Sequence, residues 1–274
     1  MTREILVLQP NGRTGRRIVP RLLAHDVAVR GASRTTTPPF DWREPRTWHA
    51  ALAGADAAYV VYSPDIAFPG AADAIGAFTE LAVRCGVGRL VLLSGRGEHE
   101  AERAEDLLRD SGADWTIVRA AWFTQNFSEG FLLDAVRSGV IALPAGDIPE
   151  PFVDVDDIAD VVVAALTDDR HTGQLYEVTG PRLLTFADTA LEIARATGRD
   201  VRYLPVTMDA YREGAVAAGV PPASADLLIG LFTETLDGHN ARLTDGIERA
   251  LGRAPRDFSD YVKATAQTDV WTPA

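Results

Sequence analysis

Five short runs in the first half of the chain, at 4–8, 27–32, 57–62, 89–94 and 114–119, are almost wholly apolar and rich in β-branched residues. Between them lie stretches with helical patterning, the clearest being AADAIGAFTELAVRCG (71–86) and EAERAEDLLRDSG (100–112), each closing at a glycine. A strand with one face in water alternates apolar with polar residues. A strand without that alternation is covered on both faces, the condition of a parallel sheet flanked by its own crossover helices. The pattern predicts an α/β fold built on a doubly wound parallel sheet.

After about Gly139 the balance shifts. Helix candidates at 155–166, 185–196, 208–218 and 223–236 outnumber short strands such as QLYEV (174–178) and DVRYLP (200–205). The expected organisation is a first domain over 1–145 and a smaller, mainly helical substrate lobe over 146–274, partly interleaved with the sheet. Such a lobe would stand over the carboxyl ends of the strands, where ligands of these folds sit. At 274 residues and 46% hydrophobic content the chain has ample material for a packed core, and it contains no internal repeat or low-complexity tract.

Charge narrows the partners. With 39 acidic against 27 basic side chains and a net charge of −12, and with its arginines dispersed, the chain is expected to bind neither nucleic acid nor an anionic membrane. A small molecule is the default ligand, bound to a monomer or a homodimer. Cys85 is the single cysteine, expected as a small buried filler, so no disulfide framework or thiolate cluster is available. With no leader-like or long apolar segment, the expected location is cytoplasmic.

The segment ILVLQPNGRTGR (5–16) reads as a strand running into the first turn of a helix. In dinucleotide-binding units of this kind, glycines permit a tight turn and close backbone approach to a pyrophosphate resting on the free N–H groups of the helix start. Gly12 and Gly15 occupy two of the three glycine positions, while Gln9 and Pro10 stand where the first should be. Arg13, Arg16 and Arg17 crowd a helix start whose dipole disfavours cations, a penalty that a bound anion would reverse; a solvated arginine-rich face is the bland alternative. Pro20 falls inside the helix and predicts a kink. The second strand ends in RGASRTTT, placing Ser33 and Arg34 where an NAD-preferring site has an acid for the ribose hydroxyls. An arginine there suits the 2′-phosphate of NADP.

Several further segments together resemble one family: ASRTTT, FDWREPRTWHAAL (40–52), RLVLLS (89–94), DWTIVRAAWFTQNFSE (114–129), PFVDVDDIADVVVAALTDD (151–169), YEVTGPRLLTFAD (176–188) and GRAPRDFSDYV (252–262). The chain resembles the NmrA-like branch of the atypical short-chain dehydrogenase/reductases, and within it the ergot-alkaloid reductases of secondary metabolism, agroclavine dehydrogenase and festuclavine synthase. The resemblance implies a Rossmann-type fold binding NADP(H), lined by Gly12, Arg13, Thr14, Gly15, Ser33, Arg34, Ser63, Pro64, Ser94, Gly95 and Arg96. It also implies a nicotinamide and substrate pocket walled by Trp122, Phe123, Asn126 and Phe127, although ordinary core packing is an equal explanation of the aromatic residues. Gln9 and Pro10 depart from the family pattern, as does RAAWF (119–123), which lacks a proline after the arginine.

The chemistry is bounded by what is missing. Most short-chain dehydrogenases protonate a forming alkoxide with a Tyr-x-x-x-Lys pair. Lys263 is the only lysine here, and Tyr261 stands two residues before it. Ser94 is left without those partners, and His99, a surface histidine by its setting, is the candidate donor nearby. Iminium ions and quinones accept hydride without needing a strong acid, so the expected function is NADPH-dependent reduction of an imine, iminium or quinone-type aromatic or polycyclic molecule, with Trp122 and Asn126 orienting it. An NADP(H)-sensing regulator without turnover and a cofactor-free cyclase or isomerase are the alternatives. DVDD (154–157) reads as an acidic helix start rather than a metal loop, and Thr185 as a helix cap.

Overall fold

The computed structural model describes residues 3–273. It contains strands β1 (Glu4–Leu8), β2 (Ala28–Ala32), β3 (Ala57–Val60), β4 (Arg89–Gly95), β5 (Asp114–Ala120), β6 (Val140–Leu143), β7 (Gln174–Val178) and β8 (Arg202–Pro205). The chain divides into two compact units. The first holds the residues up to Ala120 together with Val155–Val178 and Asp245–Arg253; the second holds Ala121–Asp154, Thr179–Thr244 and the residues from Ala254 onward.

The first unit is built on a six-stranded sheet in the order β2-β1-β3-β4-β5-β7, parallel throughout. Ile5, Leu6, Val7 and Leu8 have no exposed surface, as strands covered on both faces require. Helices Ala71–Arg84 and His99–Arg109 lie over the sheet, with Ile75, Phe78, Ala101 and Leu108 in its core. The segment 40–52 forms a buried aromatic knot, in which Phe40, Trp42 and Trp48 pack against Phe78 at centroid distances of 5.2 to 5.8 Å. Both indole N–H groups are satisfied, Trp42 donating to the Val61 carbonyl at 3.0 Å and Trp48 to that of Asp41 at 2.8 Å. Cys85 is half-buried at the edge of this core rather than inside it.

β1 has β2 on one side and β3 on the other, so the strand order reverses there. In open parallel sheets the crevice at such a reversal, outside the carboxyl ends of the strands, is the place for a ligand. The residues that follow β1, β2, β3 and the last residues of β4 therefore gather on one edge.

The second unit has a small parallel pair, β6 with β8, and helices that include Phe186–Thr197, Met208–Ala217, Pro222–Thr235 and Phe258–Ala266. Its core is aromatic, with Phe127, Phe152, Phe186, Phe258 and Trp271 all buried. Thr185 caps its helix in a reciprocal capping box with Asp188.

Two expectations are corrected. The division does not fall at residue 145: the chain leaves the first unit after Ala120 and returns to it twice. The segment QLYEV belongs to the main sheet, pairing with β5 as its edge strand β7, and its polar Gln174 and Glu177 reflect that edge position. The second return is tied down at Gly246, where a Cβ would stand 2.1 Å from the Glu177 carbonyl oxygen of β7. Gly246→Ala is expected to destabilise the protein by about 2 kcal/mol through overpacking, read as a fall in the denaturant midpoint without a change of slope.

Candidate functional site

The turn after β1 holds Gln9 where the motif has its first glycine. Gln9 adopts φ +53°, the left-handed conformation a glycine would take at little cost. Its N–H donates to the Ala32 carbonyl of β2 at 2.9 Å, and its own carbonyl accepts from the Gly12 N–H at 2.9 Å. Gly15 is obligatory, because a Cβ there would meet that same Gln9 oxygen at 2.2 Å. Pro10 is accommodated from the other side: a Cβ on Gly31 of β2 would lie 2.9 Å from its ring, so glycine at 31 makes the space. The turn is thus repacked around Gln9 and Pro10.

Helix Gly15–Ala24 opens with no side-chain cap and no acid in its first turn, and it runs unbroken through Pro20. The hydroxyl of Thr14, at the N-cap, accepts a 2.8 Å hydrogen bond from the buried Tyr59 hydroxyl and does not cap the helix. Burial pushes the Tyr59 hydroxyl well above its ordinary pKa, keeping it protonated as the donor. The cations of this helix are partly matched from within the unit. Arg17 pairs with Asp156 at 3.2 Å, and Arg21 reaches Asp156 at 2.6 Å and Asp160 at 2.8 Å. Burial opposes ionisation of Asp156, but hydrogen bonds and charge from Arg21 and Arg17 outweigh it and hold the carboxyl below its usual range. These acids lie on helix Val155–Thr167, whose first turn contains Asp156 and Asp157 as the dipole favours, and no metal-binding cluster occurs among the described residues.

At the end of β2 the pattern differs. The Ser33 hydroxyl lies 3.2 Å from that of Thr35, and its backbone N–H donates to Thr36 Oγ1 at 2.9 Å, closing a tight turn. Arg34 projects from that turn, exposed and without an ion-pair or hydrogen-bond partner among the described residues. Beyond β3, Ser63 and Pro64 are exposed. Next to them burial raises the pKa of the Asp65 carboxyl, against the pull of the Ala67 amide and the Arg13 charge.

The end of β4 is committed to the interior. Ser94 donates to Glu105 at 2.6 Å, and Glu105, with no exposed surface, also accepts from Arg119 Nε at 2.8 Å and Arg109 at 3.1 Å. Arg96 is buried and pairs with Glu177 at 2.6 Å. The Glu98 carboxylate lies over Gly95, so close that a Cβ there would meet it at 1.8 Å. Ser94 and Arg96, expected beside the cofactor, therefore have structural employment, while His99 is exposed at the first turn of its helix.

In the second unit the expected aromatic group divides. Phe127 has no exposed surface and is core, touching Phe152, Phe186 and Phe258; as a pocket wall it is corrected. Trp122 and Phe123 are half-buried. Trp122 stacks on Phe232 at 5.9 Å and meets Phe131 and Phe186 edge-on at 6.1 and 5.8 Å. Asn126 is buried at the start of helix Asn126–Glu129. The segment before it is anchored by the Val153 N–H donating to the Trp122 carbonyl at 2.8 Å and by Gln125 donating to Asp154 at 3.0 Å. Tyr261 is buried and donates to Ser128, whereas Lys263 is exposed beside Asp260.

An NAD(P)H-binding family model matches residues 11–169, and an NmrA-like family model matches residues 101–261. The chain belongs to the NmrA-like family. This NmrA-like protein is 31% identical to an NAD(P)H azoreductase of Xenophilus azovorans over 96% of its own length and 98% of the relative's. It is 27% identical to agroclavine dehydrogenase of Claviceps fusiformis over 97% of this chain and 98% of that one. An NADPH-dependent quinone oxidoreductase from Escherichia coli, solved with NADPH, shares the fold with a TM-score of 0.82 at 18% identity, over 95% of this chain and 99% of that one.

The residues that sequence reasoning missed are long-range partners. Glu105 was detectable: with Ala101, Ala104 and Leu108 it forms the buried i, i+3, i+4, i+7 stripe of its helix, an odd place for an acid. Phe131 and Phe232 carried no such signal. Stability changes follow at two places, the Gln9 turn and the Ser94–Glu105 pair. Replacing Gln9 with glycine is expected to stabilise the NmrA-like protein by about 1 kcal/mol, by relieving left-handed strain. Glu105→Ala, which removes the nearer and buried carboxylate partner of Arg119, is expected to cost about 3 kcal/mol, whereas Ser94→Ala costs about 1 kcal/mol. Chemical denaturation of the three variants checks both.

Proposed function

We propose that this protein is an NADPH-dependent reductase that delivers hydride to an imine, iminium or quinone-type small molecule without a tyrosine–lysine acid. The observation that carries it is Arg34. Arg17, Arg21, Arg89, Arg96, Arg119 and Arg253 have carboxylate partners, yet Arg34, exposed at the sheet edge where a dinucleotide's ribose would lie, has none among the described residues. A 2′-phosphate is a fitting counter-charge, with the Ser33 hydroxyl as a second donor. The start of helix Gly15–Ala24, which carries no side-chain cap and no acid in its first turn, suits the pyrophosphate. The nicotinamide, when bound, supplies the hydride.

Trp122 would present its indole face to a flat acceptor, and Asn126 would orient it; both are roles of the second unit. Ser94 and Tyr261 donate to buried partners at 2.6 and 2.7 Å, so neither is poised to protonate an alkoxide. An acceptor that ends as a neutral amine or a hydroquinone anion needs no such donor, and positioning supplies the catalysis.

Arg34→Ala is expected to lower NADPH affinity by at least tenfold, corresponding to a charge-assisted contact of roughly 1.5–3 kcal/mol, and to leave NADH affinity unchanged. Tryptophan fluorescence titration measures both, and equal losses would remove Arg34 from the site. Single-turnover NADPH oxidation is expected to be fast with quinones and cyclic iminium ions, slow with matched ketones, and flat with pH across histidine titration. Efficient ketone reduction governed by a histidine-like pKa that vanishes in His99→Ala would overturn the acid-free mechanism.

A further inference from the structure

The short helix Asn126–Glu129 is too brief to satisfy its own carbonyls. Two side chains from far along the chain hold it, one at a carbonyl and one at a side chain. The indole N–H of Trp271 donates to the Phe127 carbonyl at 2.7 Å, and the Tyr261 hydroxyl donates to Ser128 Oγ at 2.7 Å. Trp271, Tyr261, Phe127 and Ser128 are all buried, and the Tyr261 and Trp271 rings meet edge-on at 6.1 Å.

Trp271 is itself pinned. Its carbonyl accepts from Arg199 at 2.6 Å, and the preceding carbonyl of Val270 accepts from Arg137 at 2.9 Å. The same Arg199 reaches the Arg137 carbonyl, joining the two arginines into one clamp on the tail. On its opposite side the segment is held by Val153 and Asp154, through the bonds to Trp122 and Gln125. The stretch from Trp122 to Ser128 is thus held twice, once by Val153 and Asp154 and once by Tyr261 and the turn Asp269–Trp271.

We infer that Trp271 and Tyr261 are positioning residues for the reaction, acting through the backbone of Phe127 and the side chain of Ser128 to hold Trp122 and Asn126 in register. This rests on the reductase function proposed above. Losing the indole donor leaves a buried carbonyl without a partner and lets the helix Asn126–Glu129 shift, and displacements of this kind cost rate steeply because hydride transfer depends on distance. The nucleotide-binding turn lies in the other unit, so its affinity should not follow.

The test uses the full chain with Trp271→Phe, which keeps the ring and removes the donor, and Tyr261→Phe, the milder change. Both are assayed at 25 °C with a quinone accepted by the wild type, alongside NADPH affinity and hydrogen exchange of peptides covering 122–132. The expected result for Trp271→Phe is a roughly tenfold fall in kcat, NADPH affinity within twofold, and faster exchange confined to that segment, with Tyr261→Phe smaller in the same direction. A kcat within twofold of wild type in both variants, whatever happens to Tm, would overturn the inference, as would a parallel loss of NADPH affinity. If the wild type itself oxidises no NADPH, the reductase function falls, and exchange alone then decides whether Trp271 orders the segment: unchanged exchange refutes it.

Discussion

Residue 15 has no room for a side chain, because a Cβ there would stand 2.2 Å from the carbonyl oxygen of Gln9. That closeness brings the end of β1 against the start of helix Gly15–Ala24, beside the place where the strand order reverses. The same oxygen accepts from Gly12, so one carbonyl organises the whole turn. Gln9 tolerates the left-handed backbone that this requires, and Gly31 yields the space that Pro10 occupies.

Electrostatics around that turn follow from the arginines. In a chain with one lysine and an excess of acid, arginine carries almost all the positive charge, and its planar fork suits carboxylates in part-buried settings. Arg17 and Arg21 bind helix Gly15–Ala24 to helix Val155–Thr167, Arg253 adds a third contact to the same acids, and Arg119 with Arg109 neutralises the buried Glu105. Arg17 therefore needs no bound anion to balance it. Arg34 stands outside this scheme, which is why it carries the functional proposal.

Much of this was legible in the chain. The unalternating apolar runs foretold the parallel sheet because double coverage leaves its mark on every residue of a strand, as at Ile5 to Leu8. Thr185 announced its helix because caps are local chemistry. The boundary at 145 and the place of β7 were missed because an edge strand with polar residues resembles a surface strand of any lobe, and nothing local says which sheet it joins. Phe127 and Trp122 look alike in sequence, yet one is core and the other half-buried; burial depends on Phe152, Phe258 and Trp271, which arrive from distant segments. Ser94 appeared available only because its partner Glu105 sits on another element.

The central claim is that the repacked turn still receives a dinucleotide. Its most direct measurement is a backbone amide NMR titration with NADPH. The expected result is saturable binding with the largest shifts at Gly12, Arg13, Thr14, Gly15 and Arg34. Saturable binding that leaves those amides unmoved, or no binding of NADPH or NADH, would contradict the account and mark the turn as rebuilt for another purpose.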